Sequence, residues 1–200
     1  MFREACLKTP ALQHQVVDEQ VIPCKGRALI KQYLPCKRKK WGFKVFSRNG
    51  DDGVMHGFFV YDGRKVKVAE STGTQCGDYV VKLCETLPNG LNFILFMDNL
   101  FTGFELQVKL LQRQIHTVGT IRNNRLHGLR LKSDKDLRKE GRGAFVELRN
   151  DTTSLNIARW FDNRAVTLSS TCFSAQPVKS VSRRERKAKR QLSVPYRNVQ

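Results

Sequence analysis

Asn92-Phe93-Ile94-Leu95-Phe96-Met97-Asp98-Asn99-Leu100-Phe101-Thr102 is the stretch that decides the fold. Five consecutive apolar residues, Phe93 to Met97, suit a strand buried on both faces, and such strands belong to sheets covered by helices. The run ends on Asp98, which puts an acid where a sheet strand opens toward a cleft. Thr102 and Glu105 then form a Ser/Thr-x-x-Glu box. This predicts a helix from Thr102 to about Gln114, with Phe104, Val108 and Leu111 along one face. His116 to Ile121 follows as another short strand.

Upstream, Asp78 to Leu87 has helical spacing, with Val80, Val81, Leu83, Cys84 and Leu87 on one side, and Pro88-Asn89-Gly90 breaks it. Trp41 to Ser47 and Met55 to Tyr61 read as a hairpin around Asn49-Gly50-Asp51-Asp52-Gly53. Lys65 to Ala69 alternates as a third candidate strand. Gln15 to Pro23 is a short strand with Asp18-Glu19 between its valines, and residues 1–14 are polar and unpatterned. Downstream, 122–142 loses all pattern. Val146 to Leu148, Leu155 to Phe161 and Ala165 to Ser170 read as antiparallel strands. Three hairpin-linked strands followed by alternating helices and strands predict a mixed α/β sheet.

The 200 residues carry 36 Lys+Arg against 18 Asp+Glu, a formal charge of +18. Apolar residues make up 40%, and with the 14 glycines this falls in the usual globular range, which argues against a disordered chain. The length suits one domain or two small ones. No apolar run approaches the roughly 20 residues that span a bilayer. An anionic membrane surface is the lesser alternative to nucleic acid because no basic run forms a clear amphipathic helix, so no membrane partner is expected. The six cysteines lack C-x-x-C spacing, so no zinc is expected.

The positive charge is clustered. Cys24 to Arg48 holds nine basic residues and no acid, and further basic runs lie at 109–142 and 179–190. Cations against phosphates release counterions, so clusters of this kind point to DNA. Tyr33, Trp41, Phe43 and Phe46 are interleaved with the first cluster. They either stack on bases or form the apolar side of a strand.

An acid among apolar strand residues is expensive to bury unless it is paired or holds a metal. Asp18 and Asp98 both stand in that position. Carboxylates are hard ligands suited to Mg²⁺, and phosphoryl transfer commonly uses two such ions. Strand-end aspartates also cap the helices that follow them, and Asp98-Asn99 can serve that purpose alone.

Five spaced stretches carry a resemblance. These are Val17-Asp18-Glu19-Gln20-Val21-Ile22-Pro23 with Lys25-Gly26-Arg27, then Lys31-Gln32-Tyr33-Leu34-Pro35 with Lys39-Lys40-Trp41-Gly42-Phe43-Lys44. Met97 to Thr102, Gly119 to Arg125 and Trp160-Phe161-Asp162-Asn163-Arg164 complete the set. In family order, they resemble piggyBac-type transposases. The resemblance implies an incomplete RNase H-like core of the DDE/DDD transposase type with a mainly β insertion. It divides the chain into an extension (1–14), part of the core (15–121), a basic β-rich insertion (122–192) and the start of a truncated C-terminal part (193–200).

By the same resemblance, Asp18 and Asp98 match the first and second catalytic aspartates and metal ligands. The third belongs to a Gly-Gly-Val-Asp segment that does not occur in this sequence. Asp162 falls in the insertion and is not expected to replace it. The implied activity is Mg²⁺-dependent DNA cleavage and strand transfer, with Mg²⁺ weak or absent here. The expectation is a catalytically incomplete, nuclear, DNA-binding protein. The alternatives are a fragment of an active transposase, and a remnant or protein-interaction module.

DNA contacts are expected from Lys25, Arg27, Lys37, Arg38, Lys39, Lys40, Lys44, Arg122, Arg125, Arg183, Arg184, Arg186 and Lys187. The run 179–190 also has the composition of a nuclear signal. A sheet face left uncovered by a missing helix would expose apolar surface to a protein partner or a second copy.

Overall fold

The structure is a computed structural model, and it describes residues 2–35, 37–176, 179–185 and 190–196. The chain divides into two compact units, Met1–Thr117 and Val118–Gln200.

The first unit opens with helix α1 (Phe2–Lys8) and strand β1 (His14–Pro23). The short strand β2 (Gln32–Tyr33) precedes the hairpin β3 (Trp41–Gly50) and β4 (Met55–Val60). Helix α2 (Gln75–Cys84), strand β5 (Phe93–Met97), helix α3 (Phe104–Gln112) and the first half of strand β6 (Ile115–Thr120) complete it. The strand order is β2-β3-β1-β5, with β4 also paired to β3. β1 runs antiparallel to β3 and parallel to β5, which makes the sheet mixed, as the hairpin-then-alternation pattern predicted.

One face of this sheet packs on α2 and α3. Val17, Phe46, Leu95 and Met97 meet Val80, Leu83, Leu106 and Leu110 there. Phe46 is the hub. Its ring centroid lies 4.4 Å from Tyr79, 5.3 Å from Phe59 and 5.9 Å from Phe101, within the range where aromatic pairs add to simple area burial.

The end of α2 is held by two arginines. Arg48, 2% exposed, donates from Nε to Leu83 O at 3.0 Å, from Nη2 to Thr86 Oγ1 at 2.9 Å, and from Nη1 to Gln15 Oε1. Arg113 Nη2 donates to Cys84 O and Leu87 O. The last carbonyls of a helix lack partners within it, and guanidinium groups are well placed to satisfy them. Burial pulls Arg48 below its ordinary pKa and pushes the enclosed Cys84 thiol up to about 11.

The second unit contains the rest of β6, helix α4 (Asp134–Glu140), and strands β7 (Phe145–Asn150), β8 (Leu155–Phe161) and β9 (Ala165–Ser170). The order is β6-β9-β8-β7, with β7, β8 and β9 antiparallel. Strands β10 (Lys179–Glu185) and β11 (Arg190–Tyr196) form a separate antiparallel ribbon.

Several sequence expectations are corrected. Lys65 to Ala69 is not a strand. Val66 and Val68 still pack on the core, so the alternation reflects burial without a ladder partner. Thr102 does not cap α3. Gly103 occupies the cap position, and Thr102 Oγ1 turns back to donate to Asp98 O at 2.8 Å. Helix α2 starts three residues earlier than expected because Thr74 caps it, its Oγ1 accepting from Gly77 N at 3.2 Å. Residues 2–8 are helical, and the patternless 122–142 contains α4, capped by Ser133 around the fully buried Leu137.

Candidate functional site

β1 and β5 pair in parallel register, His14 opposite Ile94 and Val17 opposite Met97. The next residue on each strand is Asp18 and Asp98. Paired positions of a parallel sheet share a face, so both aspartates leave the same side of the sheet, Asp98 just past the end of β5 and Asp18 in the middle of β1. The neighbouring strand continues the row, since Asp18 is opposite Ser47 on β3.

Each aspartate is fixed locally. Asp18 accepts the Glu19 N–H at 2.7 Å. Asp98 Oδ1 accepts Leu100 N at 2.8 Å, and its carbonyl accepts Phe101 N and Thr102 N, so the strand ends in a tight turn. Partial loss of hydration pushes the Asp18 carboxyl above its ordinary pKa. The negative charges of Glu19 and Asp98 push the same way, while the Glu19 N–H and the Lys37 ammonium pull it back. Asp18 and Asp98 are therefore coupled electrostatically as well as aligned.

Glu19 points the other way and is absorbed by structure. Its side chain is 15% exposed and meets Lys37 Nζ at 3.2 Å. Strand alternation turns Glu19 away from Asp18, and its pairing with Lys37 gave no signal in the sequence because the two lie 18 positions apart across a loop.

Two carboxylates held side by side fit one hard divalent ion, with water or a phosphate oxygen filling its other positions. Partial burial chiefly raises Asp18, and the neighbouring negative charges add to it; such an ion would offset that negative charge. Among the described residues no group of three or more His, Cys, Asp and Glu side chains assembles around a common point. Asp162 lies in the second unit beside Arg142, at 3.6 Å.

The expected DNA contacts fall in several places. Lys25, Arg27, Lys37, Arg38, Lys39 and Lys40 are exposed on the loops that flank β2, and Lys44 is half-buried on β3 over the Phe46 ring at 4.8 Å. In the second unit Arg122 is exposed and Arg125 half-buried, at the short helical turn Asn123–Arg125. Arg183 and Arg184 lie on β10, and Arg186 and Lys187 lie outside the described residues. The first basic cluster also surrounds two exposed aromatics, Tyr33 and Trp41, which sequence reasoning left between stacking and burial.

The mixed sheet with its paired helices α2 and α3 is a transposase-type fold. A solved structure described as a piggyBac transposase synaptic complex with hairpin DNA matches 95% of this chain and 38% of its own, with a TM-score of 0.71 at 22% identity. The family model described as Transposase IS4 matches residues 2–198, and the chain belongs to that transposase family. Its relatives are of the piggyBac type. The human PiggyBac transposable element-derived protein 3 is 28% identical over 203 aligned residues, 99% of this chain and 34% of that protein. The human PiggyBac transposable element-derived protein 2 is 26% identical over 166, 82% of this chain and 28% of that protein. The chain thus spans about a third of the length of the curated relatives it matches.

Proposed function

We infer that this chain is a DNA-binding, piggyBac transposase-related domain that carries two of the carboxylates of a metal-dependent active site and does not cleave DNA by itself. The observation that supports this most directly is the alignment of Asp18 with Asp98 beyond the Val17–Met97 pair. It brings two hard ligands to one face of the sheet beside the C-terminal end of β5, a place where ligands of α/β folds collect.

Asp18 and Asp98 are the residues that would hold Mg²⁺. The ion, when bound, would supply charge stabilisation at a phosphodiester and an activated oxygen nucleophile. Asp98 is oriented by the turn to Leu100, and Asp18 by the Glu19 amide and the ladder to β3. Lys37 neutralises Glu19, which keeps a third negative charge on β1 from repelling the DNA backbone. With two carboxylates in place, a second ion is weakly held, and two-ion catalysis depends on both.

The basic residues flanking β2 and those at 122–125 grip phosphates. Binding is electrostatic and falls steeply with salt. The run 179–190 directs the protein to the nucleus, which transfer of that run to a cytosolic reporter would show by a change of compartment. The exposed side of β1, with Val16 at 37% exposure beside the half-buried Ile94 and Phe96 of β5, is the face on which a protein partner or a second copy would sit.

The test is a supercoiled-plasmid nicking assay with Mg²⁺ and Mn²⁺, run beside DNA binding at several salt concentrations. DNA binding without nicking supports the reading. Metal-dependent nicking that Asp18→Asn abolishes shows an active transposase fragment instead.

A further inference from the structure

The loops around β2 build a cleft of about 420 Å³ in the first unit, within the size range of small-ligand sites. Four lysines, Lys25, Lys31, Lys39 and Lys40, surround Pro23 and Trp41. Trp41 is 53% exposed and Tyr33, its cross-strand partner, 50% exposed. Their ring centroids are 4.8 Å apart. Lys31 Nζ lies 5.3 Å from the Trp41 ring and is anchored by donation to Gly26 O at 2.8 Å.

A cross-strand aromatic pair explains why Tyr33 touches Trp41. It does not explain why both rings stay half in water, nor why four lysines line the cleft at Trp41. No described carboxylate pairs with any of the four, and Cys24 to Arg48 contains no acid. Such a concentration of like charge raises the local attraction for an anion. An apolar floor of Pro23 and an indole with a cationic rim matches one chemistry closely, a flat base attached to a phosphate.

We propose that this cleft takes an unpaired nucleotide of a DNA strand, its base against Trp41 and Tyr33 and its flanking phosphates on Lys25, Lys39 and Lys40. The assignment rests on the DNA-binding reading above and deepens it. β1 links the cleft to the aspartate pair. Pro23 is five residues from Asp18, a rise of about 17 Å along the strand. That is about five base-pair steps of duplex at 3.4 Å each. The strand therefore has the reach to hold a distorted or single-stranded stretch at one end while duplex DNA passes the aspartates.

Trp160 is the other tryptophan, and Trp160→Phe leaves Trp41 as the sole indole reporter in the full chain. The probes are a short thymidine oligonucleotide and a duplex of the same length. Saturable quenching of Trp41 fluorescence by the single strand, with little change on the duplex, is the expected result. Trp41→Ala is expected to weaken single-strand binding about 5- to 150-fold, the range of one lost base stack, and to leave duplex binding unchanged. Lys39→Gln with Lys40→Gln is expected to weaken both alike.

Tight DNA binding without Trp41 quenching overturns the cleft assignment and leaves the DNA-binding reading standing. Failure of the folded chain to bind either probe at low salt overturns both. The quenching measurement needs no variant at Trp41, so a misfolded Trp41→Ala does not shelter the proposal.

Discussion

Val17 on β1 pairs with Met97 on β5, and the residue after each is an aspartate. One buried apolar pair thereby sets the register of two charged groups. Slipping the ladder by one residue would place Asp18 beside an apolar neighbour and send its side chain to the other face.

The partial burial of Asp18, reinforced by the nearby charges of Glu19 and Asp98, has a stability signature. A carboxyl raised in the folded state binds its proton more tightly there than in the unfolded chain, so folding stability falls as pH rises through the folded-state value. Asp18→Asn removes that penalty. Its melting temperature is expected to exceed that of the parent at pH 7. The gap should close as pH falls below about 3.9, the ordinary aspartate value. Thermal melts across that range check it. A variant less stable than the parent at pH 7 would contradict the electrostatic account.

Mg²⁺ or Mn²⁺ should reverse the same penalty. Millimolar metal is expected to raise the parent's melting temperature and to leave that of Asp18→Asn or Asp98→Asn unchanged, since a ligand that binds only the folded state stabilises it by mass action. Isothermal titration calorimetry of the parent should give a stoichiometry near one ion, with weak affinity.

Arg48 is a separate point of vulnerability. Its side chain satisfies Leu83 O, Thr86 Oγ1 and Gln15 Oε1 in a nearly closed interior. Arg48→Ala leaves those acceptors without a donor and opens a cavity. The expected loss is about 3–5 kcal/mol by urea unfolding. Arg48→Lys should recover only a minor part, because an ammonium cannot reproduce a planar fork.

Gly42 shows what the Lys-Lys-Trp-Gly-Phe-Lys motif contributes to the fold. It pairs with Pro23 across β1–β3, and an added Cβ would lie 2.2 Å from Ile22 O. Gly42→Ala is expected to cost about 3 kcal/mol by spreading the strands, the upper end of overpacking effects. It should also disturb Trp41 next door, visible as a shift in tryptophan emission.

For DNA, each phosphate contact should contribute about 0.9 to the slope of log affinity against log salt on duplex. Replacing Lys39 or Lys40 by Gln should each lower that slope by about one, with the loss uniform across duplex sequences. A loss confined to one sequence would point to a base contact at those lysines.

What was readable in advance follows from how local each signal is. The five-residue apolar run and the hairpin around Asn49 to Gly53 are carried by short-range pattern and form where expected. Only one face of β5 is buried, however, Ile94 and Phe96 being half-buried, and Asp18 and Asp98 are exposed rather than buried among apolar residues. The failures arose where a tertiary contact or a competing local hydrogen bond decided the outcome, or where the apolar pattern was too sparse to read. Lys65 to Ala69 had strand alternation but no ladder to join. Thr102 had a cap signature, yet the Asp98 carbonyl took its hydroxyl. Helix α4 has one buried apolar residue, Leu137, so its sequence shows no amphipathic stripe. The pairing of Glu19 with Lys37 spans 18 positions and a loop, beyond any local pattern.

β1 carries Asp18 in its middle and ends at Pro23, on the lysine-lined cleft beside Trp41, and side chains alternate along it. This restricts which length changes the chain can accept. A single inserted residue between Asp18 and Pro23 would invert one end relative to the other and disconnect grip from chemistry, even if the sheet absorbed it as a bulge. Two inserted residues would restore the faces but lengthen the span by about 7 Å, roughly two base-pair steps. Related sequences that keep both functions should therefore show substitutions here and no gaps.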